Sequence, residues 1–201
     1  MNLPPLPTDF YLREDVVQVS KDLLGKILCT RFDGKLTTGK IVETEAYAGK
    51  IDRASHAWNG RLTNRTRIMY AEGGVAYVYL CYGIHHLFNI VTNREGVPHA
   101  VLVRAVDPLA GISVMLQRRS KEKLETTLTS GPGALSQALG INRSHTGISL
   151  RSSELWIAEG ETIIENQIIS SARVGVAYAA EHASWPWRFR IKDCKWTSPA
   201  R

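Results

Sequence analysis

The chain has 201 residues, of which 44% are apolar and 22% charged, so we expect an ordinary soluble globular protein with a single domain over residues 1–201. No apolar run reaches the ~20 residues that cross a bilayer, and the first residues lack the pattern of a secretory signal, so we expect neither a membrane helix nor secretion. The net charge of +6 fits either a solubility charge or an acidic partner, while three scattered cysteines without a CxxC pair favour a reducing cytoplasm over a disulfide framework or a zinc site.

The first part of the chain predicts a helix and a hairpin. Residues 14–24 place apolar side chains at helical spacing, and Gly25 is a suitable C-cap. Residues 26–32 form a predicted strand, Asp33–Gly34 a hairpin turn, and the run that ends at Tyr47 the partner strand. The sequence therefore predicts an antiparallel pair immediately after its first helix.

The second of these strands carries two carboxylates in the stretch KIVETEAYAG, residues 40–49. Successive strand side chains point to opposite faces, so Glu43 and Glu45 share a face with Ile41 and Tyr47. Two like charges on one face repel each other, and carboxylates are rarely buried without partners. The pattern therefore predicts a cationic partner or a chemical role for at least one of the two.

Two stretches concentrate positive charge. Residues 48–67 are a predicted polar loop, and the wider stretch 48–71 has Asp52 as its single acidic residue. Residues 182–201 likewise have a single acidic residue, Asp193. The basic residues of the two stretches are Lys50, Arg53, Arg61, Arg65 and Arg67, then Arg188, Arg190, Lys192, Lys195 and Arg201. Such clusters suit a polyanion, because phosphates neutralised by cations release their counterions.

A second predicted hairpin, residues 75–93, turns near Tyr82–Gly83. Aromatic residues favour strands and fill cores, which is the simpler interpretation of Tyr77. Tyr82 differs because a large aromatic residue at a hairpin tip has little core to enter. It is either a surface residue or a wedge, and a base stack is a natural target for a wedge.

Residues 99–106 are a further predicted strand, with Arg104 between apolar neighbours. An arginine on an inner strand needs an anion, and Glu43 or Glu45 is the obvious candidate. Either the pair is a structural salt bridge, or the arginine and a carboxylate hold one water between them. The sequence leaves both interpretations open.

The rest of the chain predicts helices after Pro108 and within 130–141, and strands at 155–158, 171–178 and 187–192. The Gly-Pro-Gly helix entry is either a simple turn or a site for one phosphate. Hairpins and returning strands flanked by a few helices favour an α+β fold with an antiparallel sheet over a Rossmann fold. Without an HExxH motif or a His/Cys cluster we expect no metal.

Six strings in order resemble the alkyladenine (3-methyladenine) DNA glycosylase family, from roughly Phe10 to the tail. They are KIVETEAYAG, ASHAWNGRLTNRTRIMY, GGVAYVYLCYGIHHLFNIVTN, AVLVRAVDPLAG, SGPGALSQALGI and ARVGVAY. The short start resembles the bacterial members. The resemblance implies a monomeric enzyme without metal or cofactor, and a curved, barrel-like sheet similar to the binding domain of methionyl-tRNA formyltransferases.

The resemblance also implies roles for individual residues. Glu45 matches the catalytic base, Arg104 an arginine that helps to hold the water, and the backbone carbonyl of Val174 a third contact to that water. Glu43 matches no catalytic residue, so we take it as structural. The remaining matches concern the base: Tyr47, His56 and Tyr79 as the walls around a flipped base, Tyr82 as the residue that fills the vacated stack, and Asn89 as a barrier to the exocyclic amino group of guanine.

The function implied is removal of alkylated or deaminated purines from duplex DNA in the bacterial cytoplasm, at the nucleoid. Candidate substrates are 3-methyladenine, 7-methylguanine, hypoxanthine and ethenoadenine. No lysine matches a nucleophile, so we expect hydrolysis that leaves an abasic site without strand cleavage. Two alternatives are a non-catalytic nucleic-acid-binding domain on the same scaffold and an enzyme that acts on small nucleosides.

Overall fold

A computed structural model describes residues 3–199 of the chain. Four α-helices are present in the described residues: α1 (Thr8–Leu12), α2 (Val16–Asp22), α3 (Ile112–Arg118) and α4 (Pro132–Leu139). The strands are β1 (Ile27–Phe32), β2 (Lys35–Tyr47), β3 (Ala76–Cys81), β4 (His85–Thr92), β5 (His99–Ala110), β6 (Leu155–Ala158), β7 (Ile168–Ser171) and β8 (Arg188–Ile191). Three short 3-10 helices lie in the loop between β2 and β3.

The eight strands form one sheet in which every pair of neighbouring strands is antiparallel. The main path runs β3-β4-β5-β2-β1-β6, and β8 joins β2 to β7. Strand β2 is central, because it pairs with β5 on one edge and with both β1 and β8 on the other. Its ladder with β5 is irregular on both sides of Glu43, and such bulges bend a strand. The curled antiparallel sheet confirms the predicted α+β fold.

Apolar side chains from the helices and the sheet form the main core. Leu23 of the α2 end, Phe88 of β4, Val103 of β5 and Leu135 of α4 are fully buried in it. Helix α2 is joined to the centre of the sheet by Ser20, whose hydroxyl contacts Thr44 Oγ1 at 3.0 Å. Helix α2 therefore covers the face of β2 that carries Thr44, and the glutamates lie on the other face. No helix of residues 3–199 is long and apolar enough to cross a membrane.

Both predicted hairpins are confirmed. Asp33 and Gly34 have φ of 51° and 72°, and Tyr82 and Gly83 have φ of 50° and 74°. Positive φ at both central residues is the geometry that matches the twist of two antiparallel strands. The first predicted helix is present but shorter, because Asp15 caps it by accepting hydrogen bonds from the amides of Val17 and Gln18.

One predicted element is wrong, and another begins later than predicted. Residues 171–178 are not a strand: β7 ends at Ser171, a turn with Gly175 at φ 75° follows, and 177–184 is a 3-10 helix. The predicted helix after Pro108 begins later, since β5 continues to Ala110 opposite the long strand β2. Gly111, at φ 73°, ends the strand and allows α3 to start. Pairing with the distant strand β2 thus extended β5 and delayed the start of α3.

Candidate active site

A cavity of about 440 Å³ opens at the end of the sheet where β2, β3, β4 and β5 meet. Its size lies within the range of small-ligand sites, roughly 300–1,000 Å³. The start of α4 and the segment 174–178 complete its wall. Of the eight residues assigned by resemblance, seven line it: Tyr47, His56, Tyr79, Tyr82, Asn89, Arg104 and Val174. The fold therefore brings together residues that lie up to 127 positions apart.

Glu45, the eighth residue, lies directly behind the cavity wall and is fully buried. Its Oε1 accepts a hydrogen bond from the Val174 amide at 2.9 Å and lies 3.2 Å from Arg104 Nη1. Its Oε2 accepts one from the Tyr47 hydroxyl at 2.7 Å. All three partners line the cavity, so the carboxylate is one layer away from any occupant.

Val174 contacts Glu45 through its backbone amide N–H. The role that the resemblance gives its carbonyl, a contact to the attacking water, stays a prediction. A carboxylate oxygen accepts hydrogen bonds, so an N–H donor at this position orients the Glu45 side chain. Segment 174–178 thus helps to hold Glu45 in place.

Glu43 has the structural role expected of it, within a buried ion cluster. Its Oε1 accepts hydrogen bonds from Arg104 Nε at 2.8 Å and from Arg188 Nε at 2.7 Å, and its carboxylate also contacts Ser198. Arg104 therefore pairs with both glutamates and touches Glu45 directly. Arg188 is 1% exposed, which removes it from the predicted phosphate-binding cluster of the tail.

The two side chains that contact Glu45, Tyr47 and Arg104, each keep one protonation state. Burial, followed by the neighbouring Glu45 carboxylate, raises the pKa of Tyr47 well above its usual value, so its hydroxyl remains a donor. Burial opposes the charge of Arg104, but Glu45 and Glu43 outweigh it and raise the pKa of this guanidinium. A protonated tyrosine and a cationic arginine therefore surround the carboxylate at any physiological pH.

His56 reaches the cavity from the loop after β2. Its ring stands edge-on to that of Tyr79, with 4.7 Å between ring centroids and an interplanar angle of 79°. Its Nδ1 lies 2.8 Å from the Tyr77 hydroxyl, and Nε2 lies 3.1 Å from Nη2 of Arg65. Burial, then Arg65 and Arg61, lower the pKa of His56 to about 4. The imidazole is therefore neutral near pH 7.

Asn89 lies in the cavity floor on β4 and is 4% exposed. Its amide nitrogen donates to the carbonyls of Tyr77, at 3.1 Å, and Leu87, at 3.3 Å. Two backbone contacts fix the amide in one orientation, so an occupant of the cavity meets a rigid group rather than a mobile one.

Tyr82 occupies the tip of the β3–β4 hairpin at the cavity rim and is 90% exposed. Left-handed backbone is uncommon for a bulky aromatic residue and costs roughly 1–3 kcal/mol. An exposed tyrosine gains nothing from packing to offset that cost. The hairpin therefore presents this ring to the outside at the expense of stability, which is typical of a functional position.

Sequence reasoning missed a second buried ion pair, Asp52 with Arg173. Arg173 Nη2 donates to Asp52 Oδ1 at 2.9 Å, and Nη1 donates to the carbonyl of Ala46 at 2.8 Å. Its guanidinium also lies 4.7 Å from the centre of the Tyr47 ring. Nothing in the sequence pairs residues 121 positions apart, and the erroneous strand at 171–178 hid the turn that presents Arg173.

Comparison with known proteins identifies the family. The model of the methylpurine-DNA glycosylase family matches residues 9–195. A relative from Chlamydia felis (strain Fe/C-56) is 46% identical over 187 residues, which cover 92% of this chain and 95% of the relative. Another from Clostridium perfringens (strain 13 / Type A) is 43% identical over 202 residues, covering 96% of this chain and 98% of the relative. Both are named "Putative 3-methyladenine DNA glycosylase".

These matches extend over nearly the whole chain, and they define an N-glycosylase of DNA, a hydrolase of DNA repair. More narrowly, the chain belongs to the methylpurine-DNA glycosylase family.

Proposed function

We propose that this protein acts as a monomer on duplex DNA, turns a damaged purine nucleotide into the cavity and hydrolyses its N-glycosidic bond, leaving an abasic site. The candidate bases are 3-methyladenine, 7-methylguanine, hypoxanthine and ethenoadenine. The observation that carries the proposal is the buried carboxylate of Glu45 behind the wall of an aromatic cavity. The family and its bacterial relatives support this activity. Action on chromosomal DNA would place the protein in the bacterial cytoplasm, at the nucleoid.

Base flipping is needed because the enzyme must gain access to a purine that is stacked inside the duplex. An enzyme cannot surround a purine inside a stacked helix, so the nucleotide must rotate out at a cost of roughly a few kcal/mol. The exposed ring of Tyr82 at the cavity rim is suited to enter the vacated stack and offset part of that cost. A small nucleoside would need no such wedge, which argues against an enzyme of free nucleosides.

Aromatic walls favour electron-poor rings. Purines alkylated at N3 or N7 carry positive charge, and a cation is attracted to the face of a tyrosine ring. Tyr47 and Tyr79 both line the cavity, so such bases should stack there better than undamaged ones. Their charge also makes them good leaving groups, so one carboxylate suffices for the chemistry.

Glu45 has the capacity for that chemistry. Bond cleavage leaves a sugar with oxocarbenium character, which a nearby carboxylate stabilises while it activates the attacking water. A carboxylate has about four acceptor sites, and three are used by Tyr47, Arg104 and Val174. One site remains for a water. No lysine lines the cavity in the described part of the chain, which favours hydrolysis over strand cleavage.

The test is chromatography of bases released from methylated duplex DNA. We expect 3-methyladenine from the wild-type protein and, with Glu45→Gln, a loss of at least about 10²-fold, the usual range for a general base. DNA affinity should survive this change. Glu159→Gln, which alters an exposed glutamate paired with Lys26, is the matched control and should retain full activity.

Two outcomes would contradict the proposal. Near-normal turnover by Glu45→Gln would remove Glu45 from the role of base. Binding of damaged duplex by the wild type without release of any base would favour the alternative of a non-catalytic nucleic-acid-binding domain.

A further inference from the structure

Arg65 contacts three residues of the cavity wall from outside. Its Nη2 lies 3.1 Å from His56 Nε2, its Nε donates to the Tyr77 hydroxyl at 3.2 Å, and its guanidinium carbon lies 4.7 Å from the centre of the Tyr79 ring. Arg65 is not among the residues that line the cavity; it lines the neighbouring groove behind Tyr77 and Tyr79. It therefore supports the wall without occupying the place of a base.

The contact with His56 allows one protonation state. A guanidinium carries N–H donors only, so His56 Nε2 must accept with a lone pair. The single ring proton is then on Nδ1, from which it is donated to the Tyr77 hydroxyl at 2.8 Å. A protonated imidazole would set its Nε2–H against an N–H of Arg65. The geometry fits a neutral His56 in one tautomer.

We propose that Arg65 is a positioning residue that sets the substrate class of the cavity, because by holding His56 as a neutral imidazole it allows purines that carry a positive charge to bind. The inference rests on the proposed function, in which such a base lies against His56. It assigns to Arg65 a role distinct from the phosphate contact that its place in a basic loop would indicate.

The surroundings of His56 support this role. The charged and titratable groups that face its ring are Arg61 and Arg65 of its own loop and Tyr77 and Tyr79 of β3. None of them is a carboxylate that would stabilise an imidazolium. Burial acts in the same direction, and together they hold the pKa of His56 near 4. Burial still lowers this pKa without Arg65, but one neighbouring cation is lost, so the pKa of His56 should rise from about 4 toward about 6.5.

A neutral wall matters because of charge repulsion. A cationic purine beside an imidazolium would meet a like charge at contact distance in a partly buried site, where screening is weak. A neutral lesion such as hypoxanthine would meet no such repulsion. Loss of Arg65 should therefore penalise 7-methylguanine relative to hypoxanthine, and only at a pH where His56 becomes protonated.

The experiment compares Arg65→Met with Arg67→Met. Arg67 belongs to the same loop, and within residues 3–199 its guanidinium donates a single side-chain hydrogen bond, to Asn64, so it controls for the loss of one loop charge. The first measurement is the His56 imidazole titration by NMR in the free protein. The second is the single-turnover rate of excision of 7-methylguanine and of hypoxanthine from pH 5.5 to 8. For each protein the rate for 7-methylguanine is divided by the rate for hypoxanthine, and the variant's ratio is then divided by the wild-type ratio to give the relative preference.

For Arg65→Met we expect a raised pKa of the His56 imidazole. The relative preference for 7-methylguanine should be close to one at pH 8 and should fall on the order of tenfold at pH 5.5. For Arg67→Met both readouts should match the wild type. An unchanged His56 titration in Arg65→Met overturns the inference, and so does a relative preference for 7-methylguanine that does not vary with pH. If the wild type releases neither base, the proposed function fails, while the titration still decides whether Arg65 controls the charge of His56.

Discussion

At the scale of single residues, Tyr82 is a position where a substitution should lower DNA affinity without lowering stability. Its φ of 50° suits asparagine or glycine better than tyrosine. We expect Tyr82→Asn to keep or slightly raise the melting temperature, because asparagine tolerates this backbone and little packing is lost from a side chain that is 90% exposed. Affinity for a duplex with an abasic site should fall by about tenfold, the order expected when one stacking side chain is lost. Both are measured by thermal unfolding and fluorescence titration.

Ile84 provides the control position for Tyr82→Asn, because it is exposed at the same hairpin tip and has no assigned role. Ile84→Ser serves as the comparison for loss of exposed apolar surface. Equal affinity of wild type and Tyr82→Asn for the abasic duplex would exclude the wedge.

At the scale of elements, the turn at 172–176 is held by one buried ion pair. Arg173 joins it to Asp52 in the loop after β2 and to the carbonyl of Ala46 at the end of β2. Asp52→Asn should destabilise the fold by about 3–5 kcal/mol, because an unpaired arginine remains buried. Urea unfolding measures this loss. The folded fraction should also show slower base release, since the Val174 amide loses its anchored position beside Glu45.

Asp22→Asn provides the reference for an exposed pair. Asp22 contacts Arg13 with more than a third of each side chain exposed, so its loss should cost less than about 1 kcal/mol. A similar small cost for Asp52→Asn would mean that the buried pair does not organise the turn.

At the scale of the whole molecule, the charge of +6 should dominate duplex affinity. Exposed cations such as Arg53 and Arg61 can contact phosphates, so binding should weaken linearly on a plot of log affinity against log salt, by roughly 0.9 per phosphate neutralised. Arg61→Ser should reduce that slope by about one. Lys35→Ser, at the end of β2 far from Tyr47, should leave it unchanged. A flat salt profile for the wild type would contradict the phosphate contacts.

Local patterns predicted the elements whose structure depends on near neighbours. Asp33–Gly34 and Tyr82–Gly83 are turn sequences, and alternation fixed the strands on either side of each. The same alternation put Glu43 and Glu45 on one face, where Arg104 reaches both. Residues 171–178 failed because a strand-like composition was overruled by a turn held through Arg173.

The sequence by itself determined the curled antiparallel sheet, the paired glutamates with their arginine, and the family, since each is written in contiguous strings or in short periodicities. Only the tertiary structure decided which basic residues contact side chains of the protein itself: Arg188 contacts Glu43, Arg173 contacts Asp52, and the exposed Arg65 contacts His56 and Tyr77. The physical reason is that burial and partnership depend on distances between residues far apart in the chain, and a basic residue looks the same in sequence whether it faces a phosphate or a buried carboxylate.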